Sequence, residues 1–223
     1  LSNGDDDDDD SSPFLEKAIE LGEKLSPAFS TSSGIASSQL DIQTGHTSSG
    51  WTGNSAILSE LGSLQIEFRN LAMYSKKQKY EDISMRGLKF LYTRMPANGL
   101  LPVKIDIASG KGTDSTITFG ALGDSFYEYL LKLWIQGDKK ETWLREMYDN
   151  AMNGMMDMLL ASSQPGELVF VADWNGQSQH RKMDHLVCFL PGILALGSHT
   201  DPTGKDSDRA KRDMAVAKSL MYT

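Results

Sequence analysis

Apolar residues recur at helical spacing through most of the 223-residue chain, and stretches of strict alternation are few. Pro13, behind two serines, opens "PFLEKAIELGEKL", where Phe14, Ala18, Leu21 and Leu25 share one helical face. Residues 26–54 are rich in Ser, Thr and Gly and read as a loop, too long for a passive connection and so expected to line something. A second helix follows with Leu58, Leu61, Leu64, Phe68 and Leu71 as its stripe, and a third runs from about Tyr80 to Arg94, ahead of Pro96 and Gly99. "GLLPVKIDIASGKG" alternates Val103, Ile105 and Ile107 before a turn at Ser109-Gly110, the pattern of an extended segment. A helix headed by Asp124, a partner from about Glu141 to Ala161, an extended "ELVFVADWNG", an apolar run "MDHLVCFLPGILALG" and a last helix from about Asp206 complete the order. The pattern predicts a mainly α chain of helix pairs punctuated by short hairpins.

Composition narrows the class. With 39% hydrophobic and 23% charged residues the chain has the makeup of a folded globular protein rather than a disordered one. Six of its eight net negative charges come from the run Asp5 to Asp10, a solvated, self-repelling loop or tail, which leaves the rest near neutral. No basic patch is available to displace counterions, so nucleic acid is excluded as a partner. No run of eighteen apolar residues occurs, so no membrane-spanning segment is predicted. The chain opens at "LSNG" and stops within a helical pattern at "SLMYT", which reads as a piece of a longer polypeptide. Cys188, the single cysteine, has no internal partner and, taken alone, reads as a small buried hydrophobe.

Candidate chemistry rests on carboxylates. Asp124, in "FGALGDSFYEYLLKLWIQG", stands where an N-cap is favoured, and the same helix-end rim suits acid–base work. Glu60 and Glu67, in "SELGSLQIEF", are seven apart and so are expected on one helix face. They are either snorkelling to ion pairs or pointing into a polar cavity. Asp184 and His185, in "KMDHLVCF", adjoin strongly apolar sequence, where a lone histidine is most often a satisfied core or rim residue. The four methionines between residues 152 and 158 read as gap-filling core rather than a metal box. HExxH, CxxC, GxSxG and P-loop motifs are absent. Carboxylates beside aromatics on a helical scaffold suit a glycosidase.

The stretches "KLSPAFSTSSGI", "SELGSLQIEF", "GLLPVKIDIASG", "FGALGDSFYEYLLKLWIQG" and "KMDHLVCFLPGILALG" occur in an order and spacing that resemble the class I α-1,2-mannosidases of glycoside hydrolase family 47. "LSNGDDDDDDSSPFLEKA" fits a short loop of that family expanded with aspartates, at about residues 3–12. The resemblance implies a portion of an (αα)7 barrel, with residues 1–223 a partial catalytic domain truncated at both ends. It implies Ca²⁺-dependent, inverting removal of terminal α-1,2-linked mannose from high-mannose N-glycans on glycoproteins. Asp124 matches an essential active-site carboxylate of the family, and Glu60, Asp184 and His185 match polar positions lining its glycan cavity. Leu122 stands where the endoplasmic-reticulum branch carries Arg, which removes a multi-donor clamp and points to a different mannose arm. "FLPGILALG" reads more like that same branch, so the subgroup stays open. A second carboxylate is expected upstream of Leu1. A third, and the Thr that holds Ca²⁺, are expected downstream of Thr223; no metal ligand is expected within the chain, and the chain by itself is expected to be inactive. Family members pair the cysteine of "LVCF" with another some thirty residues on, which implies a disulfide from Cys188 to a partner just beyond Thr223. The implied location is the lumen of the endoplasmic reticulum or Golgi, with a membrane anchor upstream. The alternative is a glycan-binding quality-control relative that does not hydrolyse.

Overall fold

The computed structural model describes residues 12–223, so the run Asp5 to Asp10 and its expected loop lie outside the described residues, Ser12 apart. The helices are α1 (Pro13–Leu25), α2 (Leu58–Gly62), α3 (Gln65–Ser75), α4 (Lys79–Tyr92), α5 (Asp124–Gln136), α6 (Thr142–Met158), α7 (Leu190–His199) and α8 (Asp208–Leu220). Consecutive helices pack as the pairs α3/α4, α5/α6 and α7/α8, and α1, α3, α5 and α7 also lie side by side. The result is two layers of helices, with α4, α6 and α8 each behind its partner. The expected helix-pair organisation is borne out.

Four short antiparallel pairs join the helices at their ends. They are β1 (Gln39–Leu40) with β2 (Thr47–Ser48), β3 (Ser55–Ile57) with β4 (Lys104–Asp106), β5 (Leu160–Ser162) with β6 (Val169–Val171), and β7 (Asp173–Trp174) with β8 (Gln179–His180). The extended segments around Ile105 and Val169 are as expected; the partner strand β3 lies about fifty residues from β4 and has no local signal.

The buried apolar residues form a main cluster between the layers and a smaller one of Phe29, Phe68, Ala72 and Tyr80. On α5, Phe126, Tyr127, Leu130, Leu131 and Leu133 are fully buried, and on α6 so are Leu144, Tyr148, Met152 and Met155, which confirms those methionines as packing. Tyr127 stacks on Phe119 with ring centroids 4.1 Å apart, and its hydroxyl accepts the Leu101 N–H at 3.2 Å. Those contacts pin the start of α5 to two of the loops that precede it.

Two readings need correction. On α1, Phe14, Ala18 and Leu21 are exposed, with Phe14 85% accessible; the inward side carries Gly22 instead. A Cβ at Gly22 would lie 2.4 Å from Leu71 Cδ2 and 3.1 Å from Tyr80 Cε1, so the missing side chain is what lets α1 approach. The helix carrying Glu60 and Glu67 is not continuous: it breaks at Ser63–Leu64, between α2 and α3. Buried Gln65 repairs the break, accepting the Leu64 N–H at 3.0 Å and donating to Leu61 O at 2.9 Å and Ser84 O at 3.3 Å.

Candidate active site

Asp124 opens α5 but is not its N-cap: Gly123 holds that position and has no side chain to cap with. Asp124 is the first helical residue. Its N–H donates to Gly120 O at 3.0 Å and its Oδ1 accepts the Ser125 N–H at 2.9 Å. The negative carboxylate sits at the helix N-terminus, where the helix dipole favours it. Half-burial nevertheless raises its pKa above the ordinary carboxylate range, and repulsion from Asp184 and Glu128 adds to the rise. Glu128 lies one turn further along α5 and is ion-paired with Lys132. The i, i+4 spacing from Asp124 is the signal that could have revealed Glu128 in the sequence.

Asp184 reaches the same place from another element. It caps the 3₁₀ turn His185–Phe189, its Oδ1 accepting the Leu186 N–H at 2.9 Å. Its side chain rests on Gly120, at whose Cβ position Asp184 Cβ would be only 2.5 Å away. His185 is exposed at the start of this turn, so it is a rim residue and not a core one. Cys188, three residues on, is an exposed free thiol, which corrects its reading as a buried hydrophobe.

Leu122 lies on the turn between Gly120 and Asp124 with φ +76°, a left-handed conformation that costs a leucine about 1 kcal/mol or more. Its side chain is 37% exposed, and its carbonyl accepts the Ser59 N–H at 2.9 Å. That bond ties the α2 turn carrying Glu60 to the turn carrying Leu122 and Asp124. Glu60 is exposed and lines a cavity of about 210 Å³ with Ala36, Ser37 and Ser38, so the long Ser- and Gly-rich segment does line something. Asp124, Asp184 and Leu122 therefore converge, and Glu60 is linked to them through the backbone. Glu67 is separate, on α3, where it accepts the Tyr129 hydroxyl at 2.9 Å. A larger cavity, about 610 Å³, lies against Ser162, Gln164, Phe170 and Arg181, and no carboxylate lines it. Among the described residues no three His, Cys, Asp or Glu side chains gather as a metal cage.

The arrangement places a partly buried carboxyl, its pKa raised by burial and by the charge of nearby Asp184, at the start of α5. The family model described as glycosyl hydrolase family 47 matches residues 2–223. The endoplasmic reticulum mannosyl-oligosaccharide 1,2-alpha-mannosidase of Rattus norvegicus is 43% identical over 94% of the chain and 31% of its own length. Mannosyl-oligosaccharide 1,2-alpha-mannosidase MNS1 of Arabidopsis thaliana is 37% identical over 94% of the chain and 37% of its own length. The chain thus spans about a third of these curated relatives. A solved alpha-1,2-mannosidase from Trichoderma reesei superposes with a TM-score of 0.81 at 24% identity, covering 93% of the chain and 42% of that structure. The two helical layers are accordingly a portion of an (αα)7 barrel.

Proposed function

Because the chain belongs to glycosyl hydrolase family 47, we propose that the complete protein removes terminal α-1,2-linked mannose from mannose oligosaccharides, with Asp124 among its reacting carboxylates. The supporting observation is the half-buried Asp124 carboxyl at the N-terminus of α5, its pKa raised by burial and by the charge of nearby Asp184. A general acid or base works best with a pKa moved toward the working pH, and burial beside like charge moves a carboxyl that way. In this proposal Asp124 holds or takes a proton at the glycosidic oxygen or at the attacking water. Glu60, Asp184 and His185 offer hydrogen bonds to sugar hydroxyls, and Leu122 presents apolar surface without a donor.

Inversion, calcium dependence and a lumenal location extend the proposal. Inverting enzymes set their two carboxyl groups about 6.5–9.5 Å apart so that a water fits on the far face of the sugar. Among the described residues no three His, Cys, Asp or Glu side chains gather, and the calcium ligand is proposed to lie beyond Thr223. Exposure leaves Cys188 open to a disulfide partner there, consistent with the oxidising lumen of the endoplasmic reticulum or Golgi. Among the described residues no helix is long and apolar enough to cross a membrane.

The stereochemical test uses the complete protein and α-1,2-linked mannobiose, with proton NMR following the first mannose released. β-Mannose appearing first supports inversion, and α-mannose appearing first refutes it.

A further inference from the structure

The turn that delivers Leu122 and Asp124 is held from behind by Thr118. This threonine is 6% exposed. Its hydroxyl donates to Asp173 Oδ1 at 2.5 Å, and its Oγ1 accepts the Gly120 N–H at 2.8 Å. One hydroxyl is thereby used as donor and acceptor at once, the bond to the carboxylate being the stronger, charge-assisted one. Backbone bonds run beside it: Ile117 N–H to Trp174 O at 3.0 Å and Trp174 N–H to Ile117 O at 2.8 Å. Asp173 and Thr118 are therefore fixed neighbours before the side-chain bond is considered.

Gly120 is the junction. Its carbonyl accepts both the Gly123 N–H at 3.1 Å and the Asp124 N–H at 3.0 Å, and the place of its absent Cβ is filled by Asp184, whose Oδ2 would be 3.1 Å away. A shift of Gly120 moves the start of α5 on one side and loosens the seat of Asp184 on the other. We infer that Thr118 and Asp173 are positioning residues: Asp173 orients the Thr118 hydroxyl, which holds Gly120 and so sets Asp124 against Asp184. The catalytic part of this inference rests on the hydrolytic reading above. Valine at 118 keeps the shape but leaves the buried Gly120 N–H without its acceptor.

The test compares Thr118→Val, Thr118→Ser and Asp173→Asn in the complete protein. Thr118→Val is expected to lower kcat on α-1,2-linked mannobiose by about 10-fold or more with KM changed less than about threefold, because small displacements of reacting groups are costly. The acid limb of its pH–rate profile should also move, since the spacing of the two carboxyls has changed. Thr118→Ser, which keeps the hydroxyl, should restore most of the rate. Hydrogen–deuterium exchange of residues 118–124 should quicken in Thr118→Val and not in Thr118→Ser. Wild-type kcat and pH profile in Thr118→Val, or unchanged exchange over that segment, overturns the inference. Where Thr118→Val does not fold, Asp173→Asn decides by the same pH-limb shift and exchange, and no change in either is the contrary result. Absence of turnover by the wild type defeats the hydrolytic reading instead, and exchange alone then decides whether the pair holds the turn.

Discussion

Gly120 and Asp184 are in direct contact: a Cβ at Gly120 would lie 2.5 Å from Asp184 Cβ and 3.1 Å from its Oδ2. The glycine is outside the left-handed region, so its backbone tolerates alanine and the added methyl meets Asp184 first. Gly120→Ala in the complete protein should cost about 1–3 kcal/mol as an overpacking change and reduce turnover by about tenfold or more. Wild-type kinetics in a folded variant would show that the contact does not seat Asp184 for function.

Leu122 carries backbone strain and an exposed apolar side chain at one position. At φ +76° a glycine relieves the strain, whereas a β-branched residue raises it. Leu122→Gly should melt within a degree or two of the wild type, and Leu122→Ile should lose about 1–2 kcal/mol. Leu122→Arg should change which mannose isomers accumulate from a Man9 glycan, because a guanidinium adds donors and fills space. An identical product profile would place Leu122 off the glycan path.

Arg145 on α6 is buried and binds three elements together. Its Nε pairs with Asp149 at 2.8 Å, its Nη1 donates to Gly197 O at 3.1 Å, and its Nη2 meets Asp201 at 3.4 Å. Removing one member of a buried ion network strands the others, so Arg145→Ala should cost about 3–5 kcal/mol. Hydrogen bonds from Arg209 hold the Asp201 carboxyl well below its usual range. A depressed folded pKa gives stability that is complete above the unfolded carboxylate range and fades as the pH falls. The urea-midpoint gap between wild type and Asp201→Asn should therefore be full above about pH 4 and narrow below it. A gap independent of pH would contradict the ionic account.

For Asp124 the sign is reversed. Its folded pKa is raised by burial and by Asp184 and Glu128, so its contribution is most favourable below the unfolded carboxylate range and is lost as pH rises through the raised value. Relative to the wild type, Asp124→Asn should gain melting temperature between about pH 3 and pH 7. A relative loss over that interval would mean that the carboxylate is a stabilising helix-end charge and not a strained one.

The sequence made α5, its buried face and Asp124 legible because apolar periodicity reports directly on a helix packed against a core. It also marked the long serine-rich segment as one that lines something. It misplaced the inward side of α1, because Gly22 works by lacking a side chain and periodicity counts only side chains that are present. It ran α2 into α3 because Gln65 hides the break, replacing lost backbone bonds with its amide. It took Asp124 for a cap because aspartate favours that position, whereas Gly123 holds it. Gly120, Thr118 and Asp173 were invisible as a group, since their relation spans fifty-five residues and needs two loops in register.

Replacing Asp124 by Asn in the complete protein separates proton transfer from shape. Asparagine keeps the shape and can still accept the Ser125 N–H, but it cannot exchange a proton at working pH. Mannose release from an oligosaccharide ending in α-1,2-linked mannose is the readout, with circular dichroism confirming the fold. The wild type should release mannose, and the Asp124→Asn variant should do so about 10²-fold more slowly or worse. A folded Asp124→Asn protein that turns over at the wild-type rate, or a wild type that releases no mannose, would contradict the account.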